Sequence, residues 1–278
     1  MSAQILNGKE FANHVLESVA SGIEDGGLKP TLVIYRIGND PASKVYVNNK
    51  VAAAAKININ TIVRSYEETD SYSAVQNQLY CDAMDNNIDG IMIQLPLPQG
   101  WDEIALMELI PAEKDVDGLT YENRGMLSDC SAFHIPCTAF GIIHMLDYYN
   151  IDLDGKHCVV IGRSDIVGKP VAQLALMKNA TITICHSHTK NLAEITKQAD
   201  VLIAAVGKEK LITADMVKPG AVVVDVGINR NAAGKLCGDV DFENVKEVAS
   251  WITPVPGGVG PVTVAMLMYN TYNALYLR

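Results

Sequence analysis

The sequence predicts an α/β protein of two domains, each built on parallel strands, and three observations predict it. Short apolar runs alternate with segments whose apolar residues recur at helical spacing, the pattern of strand–helix–strand units joined by right-handed crossovers. The 278 residues suffice for one large or two ordinary domains, and with 49% apolar residues they can bury a sizeable core. The alternation runs on both sides of a boundary expected between Gly118 and Pro136. On this reading residues 1–120 form a first domain, residues 136–261 a second, and a C-terminal helix over 262–278 returns to complete the first. A cleft between the two domains is expected to hold the ligands.

The second domain is organised around Cys158 to Pro170, C-V-V-I-G-R-S-D-I-V-G-K-P. Cys158 to Ile161 reads as a buried parallel strand that ends at Gly162. Ile166, Val167, Val171, Leu174 and Ala175 then follow at helical spacing. Strand, glycine turn and helix open a Rossmann-like dinucleotide-binding unit, in which backbone N–H groups and the helix N-terminus meet a pyrophosphate. Further strands are expected at Thr181–Cys185, Val201–Ala205 and Ala221–Val226. Where an NAD-binding fold places a carboxylate for the ribose hydroxyls, the second strand runs instead into Cys185-His186-Ser187-His188. Arg163 offers a guanidinium fork and Ser187 a hydroxyl, and both favour NADP over NAD. After Val226, the loop Gly227-Ile228-Asn229 leaves another strand end. Thr253 to Pro261, T-P-V-P-G-G-V-G-P, is a stiff glycine- and proline-rich loop with backbone open to a ligand.

In the first domain, Asn7-Gly8-Lys9 leads into a helix with Phe11, Val15, Leu16, Val19 and Ile23 on one face, stopped by Gly26-Gly27. Thr31–Tyr35 is a strand and Gly38 to Pro41 a turn, in which Asp40 can cap the next helix with Pro41 at its first position. Ser43, Tyr46, Lys50, Ala53 and Ala54 share one face of that helix, and Asn58 ends it. A short strand at Thr61–Val63 and a helix carrying Val75, Leu79 and Ala83 follow. Ile88 to Gln94 is a strand stopped by Leu95-Pro96-Leu97-Pro98, so Gln94 sits at a strand's carboxyl end, where α/β sheets place ligand groups. Trp101–Ile110 reads as helical and Lys114-Asp115-Val116-Asp117-Gly118 as a charged turn. Its two carboxylates lack further oxygen ligands, so no metal site is expected. Pro136-Cys137-Thr138 precedes a helix through Ile142, Ile143, Leu146 and Tyr149.

A net charge of −10 argues against non-specific nucleic-acid binding. No apolar run approaches the length that spans a bilayer. The six cysteines show no C-x-x-C spacing, and no secretory segment opens the chain, so a cytoplasmic location is expected.

Taken together these stretches resemble the bifunctional methylenetetrahydrofolate dehydrogenase/methenyltetrahydrofolate cyclohydrolase family over nearly the whole chain. The resemblance rests on S-K-V-Y-V-N-N-K (Ser43 to Lys50), Q-L-P-L-P (Gln94 to Pro98), K-D-V-D-G (Lys114 to Gly118) and P-C-T (Pro136 to Thr138). It continues through G-R-S-D-I-V-G-K-P (Gly162 to Pro170), C-H-S-H-T (Cys185 to Thr189), V-D-V-G-I-N (Val224 to Asn229) and the Thr253–Pro261 loop. Three residues depart from the family pattern: Ala139 where proline is usual, Ala52 where a second basic residue is common, and His188 where Arg or Lys often follows Ser187.

The resemblance implies NADP-dependent oxidation of 5,10-methylenetetrahydrofolate and hydrolysis of the methenyl product to 10-formyltetrahydrofolate. It implies Lys50 as the acid/base group, oriented by Gln94, with Tyr46 stacking on the folate or passing protons and Asp117 on the pterin's donor edge. Pro256 and Gly257 would wall the substrate, and Gly162, Arg163, Ser164, Ser187 and Ile228 would bind NADP. A homodimer is implied as well. Rival readings are a variant with only one of the two activities, another NADP-dependent dehydrogenase of similar plan such as a shikimate dehydrogenase, and a non-catalytic NADP sensor.

Overall fold

The computed structural model describes residues 2–277. Met1 and Arg278, the outer ends of the expected first domain and of the expected C-terminal helix, lie outside the described residues. The elements run β1 (Gln4–Ile5), α1 (Gly8–Gly26), β2 (Thr31–Ile37), α2 (Pro41–Lys56), β3 (Asn60–Tyr66), α3 (Tyr72–Met84), β4 (Gly90–Gln94), α4 (Glu103–Met107), α5 (Tyr121–Met126) and α6 (Cys137–Tyr148). They continue with β5 (His157–Ile161), α7 (Gly168–Met177), β6 (Thr181–Cys185), α8 (Leu192–Thr196), β7 (Val201–Ala204), β8 (Val222–Asp225), β9 (Asn229–Arg230), β10 (Leu236–Cys237), α9 (Phe242–Val245), β11 (Trp251–Ile252) and α10 (Val259–Asn273).

The chain divides into two compact units. One holds Asn13–Cys137 and the segment from Val264 onward. Its sheet has the order β3-β2-β4, all parallel. Val33, Tyr35, Ile91 and Ile93 alternate onto one face of the sheet and pack with Val75, Leu79 and Ala83 of α3. The other unit holds Thr138–Thr263 together with the residues up to Ala12. Its parallel sheet has the order β1-β11-β8-β7-β5-β6. The chain passes from β5 to β6 on one side and returns to β7 on the other, so the strand order reverses beside β5. That is the topological switch point at which α/β sheets bind ligands. Val159, Ile161, Leu202, Ala204, Val223 and Ile252 are buried in its core.

Two sequence expectations change. The first residues were expected in the domain of residues 1–120, yet β1 pairs in parallel with β11, which draws residues up to Ala12 into the nucleotide-type unit. The helix expected over Trp101–Ile110 is only Glu103–Met107. Asp102 caps its start by accepting from Ala105 N at 3.0 Å, and Pro111 disfavours helical backbone at Ile110. Tyr46 shares the α2 face of Ser43 and Lys50 as expected and is exposed; the buried residues of α2 are Ser43, Val47 and Ala54. Asp40 and Pro41 do open α2 as expected, with Asp40 accepting from Ser43 N at 2.7 Å, and Asn58 follows it with φ 59°.

Candidate active site

Helix α2 sets the first half of the site. Its buried residues fall at spacings of four and seven, and Lys50 occupies the matching place between Val47 and Ala54. An ammonium therefore stands where a core side chain would. Burial pulls its pKa below the ordinary lysine value, while the charge of Asp117 pulls back the other way. Strand β4 supplies the second half. Ile91 to Ile93 are buried, and Gln94 emerges half-buried at the carboxyl end. Lys50 Nζ donates to Gln94 Oε1 at 2.8 Å, and Gln94 Nε2 donates to Leu95 O at 2.8 Å. A carbonyl only accepts, so the second bond fixes which way the amide faces and leaves its oxygen for the lysine.

The charged turn divides its labour residue by residue. Lys114 is buried and donates to Ala83 O and Asp85 O, both at 2.8 Å, which anchors the turn to the end of α3. Asp115 Oδ2 accepts from Thr120 N and Thr120 Oγ1 at 2.8 Å and from Asn123 Nδ2 at 3.0 Å. Burial nevertheless pushes its carboxyl up to about 6. Val116 packs so closely over Gly90 that a Cβ at Gly90 would lie 2.6 Å from Val116 Cγ1. Asp117 is half-buried and acts electrostatically on both Lys50 and Cys137. Cys137 is fully buried. Burial first, then the Asp117 carboxylate, raise its thiol pKa well above the usual value, so it is a neutral thiol beside the lysine.

In the other unit, the expected nucleotide residues lie at the carboxyl ends of parallel strands. Gly162 follows β5 with φ 120°, and a Cβ there would sit 2.2 Å from Ala205 O. A Cβ on Gly168 would sit 2.3 Å from Gly162 O, so the start of α7 lies directly against the strand end. Ser164 Oγ accepts from Val167 N at 3.2 Å and Gly168 N at 3.3 Å. Arg163 is exposed, and its guanidinium has no ion-pair or hydrogen-bond partner among the described residues. Ile161 and Cys185 are register partners on β5 and β6, so Arg163 and Ser187 stand at equal distances past adjacent strand ends. Ile228 is 49% exposed beyond β8. This set fits a dinucleotide: backbone held close at the strand end, an unengaged guanidinium, and hydroxyls beside it. Pro256 and Gly257 lie in the loop after β11, where Gly257 has φ 102° and its carbonyl accepts from Lys9 N at 3.2 Å.

The structure thus brings Lys50, Gln94 and Asp117 together. Tyr46 sits one turn before Lys50, 37% exposed and with no hydrogen bond among the described residues. Sequence reasoning missed the place of Cys137 beside Asp117. Its one signal was the Pro-Cys-Thr just before α6. It also missed two buried carboxylates that fasten the loops of the nucleotide-type unit. Asp239 accepts from the N–H groups of Val206, Gly207 and Lys208, and Asp225 from those of Gly227, Asp239 and Val240. No group of three or more His, Cys, Asp or Glu placed to hold a metal occurs among the described residues. A cavity of about 410 Å³ opens at the amino ends of β7, β8 and β11, opposite the strand ends just described. Its Lys218 is already paired with Asp200 at 2.6 Å.

Two family models match the chain. The tetrahydrofolate dehydrogenase/cyclohydrolase catalytic domain covers residues 6–117, and the NAD(P)-binding domain of the same family covers residues 136–278. The bifunctional protein FolD of Dechloromonas aromatica (strain RCB) is 51% identical over 277 residues, covering 99% of this chain and 98% of that protein. The crystal structure of the bifunctional FolD methylenetetrahydrofolate dehydrogenase/cyclohydrolase from Campylobacter jejuni superposes with TM-score 0.96 at 40% identity, covering all of both chains. The Trypanosoma brucei methylenetetrahydrofolate dehydrogenase-cyclohydrolase, solved with NADP cofactor and an inhibitor, is 32% identical with TM-score 0.94, covering 100% of this chain and 98% of that one.

Proposed function

This chain belongs to the tetrahydrofolate dehydrogenase/cyclohydrolase family, and from that premise we propose that it oxidises 5,10-methylenetetrahydrofolate with NADP and hydrolyses the resulting methenyl cation to 10-formyltetrahydrofolate. The single observation that carries this reading is the half-buried Lys50, its Nζ held on Gln94 Oε1 at 2.8 Å with Asp117 close by. A lysine in that position is costly for stability and suited to moving protons.

NADP⁺, when bound, supplies the hydride acceptor. Arg163 and Ser187 would hold its 2′-phosphate, Gly162 and Ser164 would meet its pyrophosphate, and Ile228 would contribute to the nicotinamide end of the site. Pro256 and Gly257 present stiff, open backbone to the substrate. Asp117 accepts from the donor edge of the pterin, and Tyr46 offers its ring for stacking.

The oxidation moves no proton, so these residues act in it by positioning alone. The hydrolysis does move protons. Water attacks the methenyl carbon, and the neutral amine of Lys50 takes the water's proton. The same Nζ returns a proton to the ring nitrogen as the carbon–nitrogen bond opens, and the reaction releases one proton overall. Gln94 keeps the lysine lone pair aimed at the attacking water. A cationic substrate lowers the lysine pKa further, because two like charges disfavour one another.

We also propose a cytoplasmic homodimer. All six cysteines are free thiols, which suits a reducing compartment. Strand β6 is a sheet edge carrying Ile184, 41% exposed, a surface that a second copy can cover.

A single assay tests the activity: methenyltetrahydrofolate followed by its absorbance, first with NADP and then with NAD. The proposal requires formation with NADP and enzyme-accelerated decay of added methenyltetrahydrofolate. Formation without accelerated decay would reduce the protein to a dehydrogenase.

A further inference from the structure

We propose that Asn270, on α10, is a positioning residue that sets the place of the Asp117 carboxylate and thereby the affinity for folate. The inference rests on the folate role of Asp117 given above.

Asn270 is 2% exposed, so its carboxamide must find partners inside the protein. Nδ2 lies 2.9 Å from Val116 O and 3.2 Å from Ile135 O. Both are carbonyls, which accept and never donate, so the amide's two N–H groups are both committed and its orientation is fixed. The Val116 carbonyl belongs to the same peptide unit as the nitrogen of Asp117. Holding that oxygen therefore fixes the plane from which the Asp117 side chain departs. The Cys137 thiol donates to the same oxygen at 3.3 Å, and Asn270 Nδ2 lies 3.6 Å from its sulfur.

The other restraints on this turn act around Asp117 and not on it. Gly118, φ 71°, lies so close to the Ile135–Pro136 peptide that a Cβ would come within 2.6 Å of Ile135 C and Pro136 N. Val116 is seated over Gly90 of β4, the strand that ends at Gln94. Asp115 and Lys114 face away into their own buried partners. Of the three polar side chains of the turn, Lys114 and Asp115 are buried and Asp117 is half-buried, its backbone clamped on both sides. Asn270 bonds both walls of the clamp, the 116–117 peptide and the 135–136 peptide, from a helix more than a hundred residues away in sequence. A catalytic array loses effectiveness when displaced by a fraction of an ångström, so a side chain that touches no substrate can control KM.

The test is a double-mutant cycle on the full-length protein. Asn270→Leu keeps approximate volume and removes both donors. Asn270→Ser keeps one donor and covers the case in which the leucine variant does not fold. Folding is checked by circular dichroism and by NADP binding. We expect the KM for methylenetetrahydrofolate to rise roughly tenfold in Asn270→Leu and by less in Asn270→Ser, with the KM for NADP unchanged. In the Asp117→Asn background the same Asn270 change should add less than about twofold, because residues acting as a unit are not additive. An unchanged folate KM in a folded variant overturns the proposal. So do losses that multiply independently of Asp117, or folate and NADP constants that rise together. A wild-type protein that does not oxidise methylenetetrahydrofolate would instead overturn the functional reading on which it rests.

Discussion

Three aspartates of low exposure behave differently because their partners and their depth differ. Asp115 and Asp225 are buried and saturated with N–H donors, yet burial outweighs those donors and raises each carboxyl to about 6. Asp82 lies less deep, so burial raises its pKa less, and Arg64 (through Nε at 3.0 Å and Nη2 at 2.8 Å), Tyr35 and Gln78 all donate to it, which takes its pKa below the ordinary 3.8. A charged fork with two neutral donors overcomes moderate burial, where N–H and O–H donors alone do not overcome deep burial. Carbon-13 titration should therefore place Asp115 and Asp225 near 6 and Asp82 below 3.8. Because the raised carboxyls bind protons more tightly folded than unfolded, their contribution to stability is complete below 3.8 and lost as pH rises through about 6. For a shift of about two pKa units that loss is ~3 kcal/mol per residue. Asp115→Asn should flatten this part of the urea-midpoint profile, and an unaltered slope would remove Asp115 as its source. At Lys50 the sign is opposite in consequence for activity. Burial favours the neutral amine, so the hydrolytic rate should rise with pH along a limb centred below 10.5. Lys50→Met should abolish that limb and the enzyme-dependent hydrolysis, with NADP binding retained; residual pH-dependent hydrolysis would take Lys50 out of the mechanism.

At the scale of elements, what decides function is how closely strand ends and helix starts approach. The β5–α7 turn has no room for a side chain at Gly168, because the nearest atoms to a new Cβ are the Gly162 carbonyl and Arg163 N, at 2.3 to 2.8 Å. These are backbone atoms and cannot rotate aside. Gly168→Ala should push α7 off the strand end and raise the KM for NADP more than tenfold, while the Lys50–Gln94 pair keeps the enzyme hydrolysing added methenyltetrahydrofolate. Equal loss of both activities would show that the turn serves folding and not the nucleotide. Elements of this kind were legible in the sequence because each carries a long apolar run or a helical period: the strands at Thr31, Cys158, Thr181 and Val201 all appear in the structure within a few residues of expectation. The two-residue strands β1, β9, β10 and β11 were not, since two residues define no period and their pairing depends on chain far away. Lys50 and Gln94 were legible as a helix position and a strand end. Their 2.8 Å contact was not, because it is set by how α2 lies against β4. Asn270 was illegible for the same reason: nothing in M-L-M-Y-N-T distinguishes a surface amide from one buried against two carbonyls.

At the scale of the whole molecule, neither unit is a continuous piece of chain. The residues up to Ala12 belong with Thr138–Thr263, and the segment from Val264 belongs with Asn13–Cys137. A reading in order along the sequence assigns the first strand to the wrong partner because the hydrogen bonds that claim it come from residues about 250 positions later: Leu6 N donates to Ile252 O at 2.9 Å and Gln4 N to Ser250 O at 2.8 Å. The consequence can be measured because each unit contains one tryptophan, Trp101 in the one and Trp251 in the other. Trp251 packs against Tyr149 with ring centroids 5.4 Å apart, and Trp101 meets Tyr72 edge-on at 5.2 Å, so each should lose its native emission as its own surroundings unfold. Leu6 is fully buried, and its truncation to alanine leaves a cavity costing about 2–5 kcal/mol. In a Trp101→Phe background, where Trp251 alone reports, Leu6→Ala should lower the urea midpoint by that amount divided by the slope of unfolding. If the N-terminal strand instead belonged with the residues that follow it in sequence, Trp251 would report no change, and in the complementary Trp251→Phe background Trp101 would carry the whole loss.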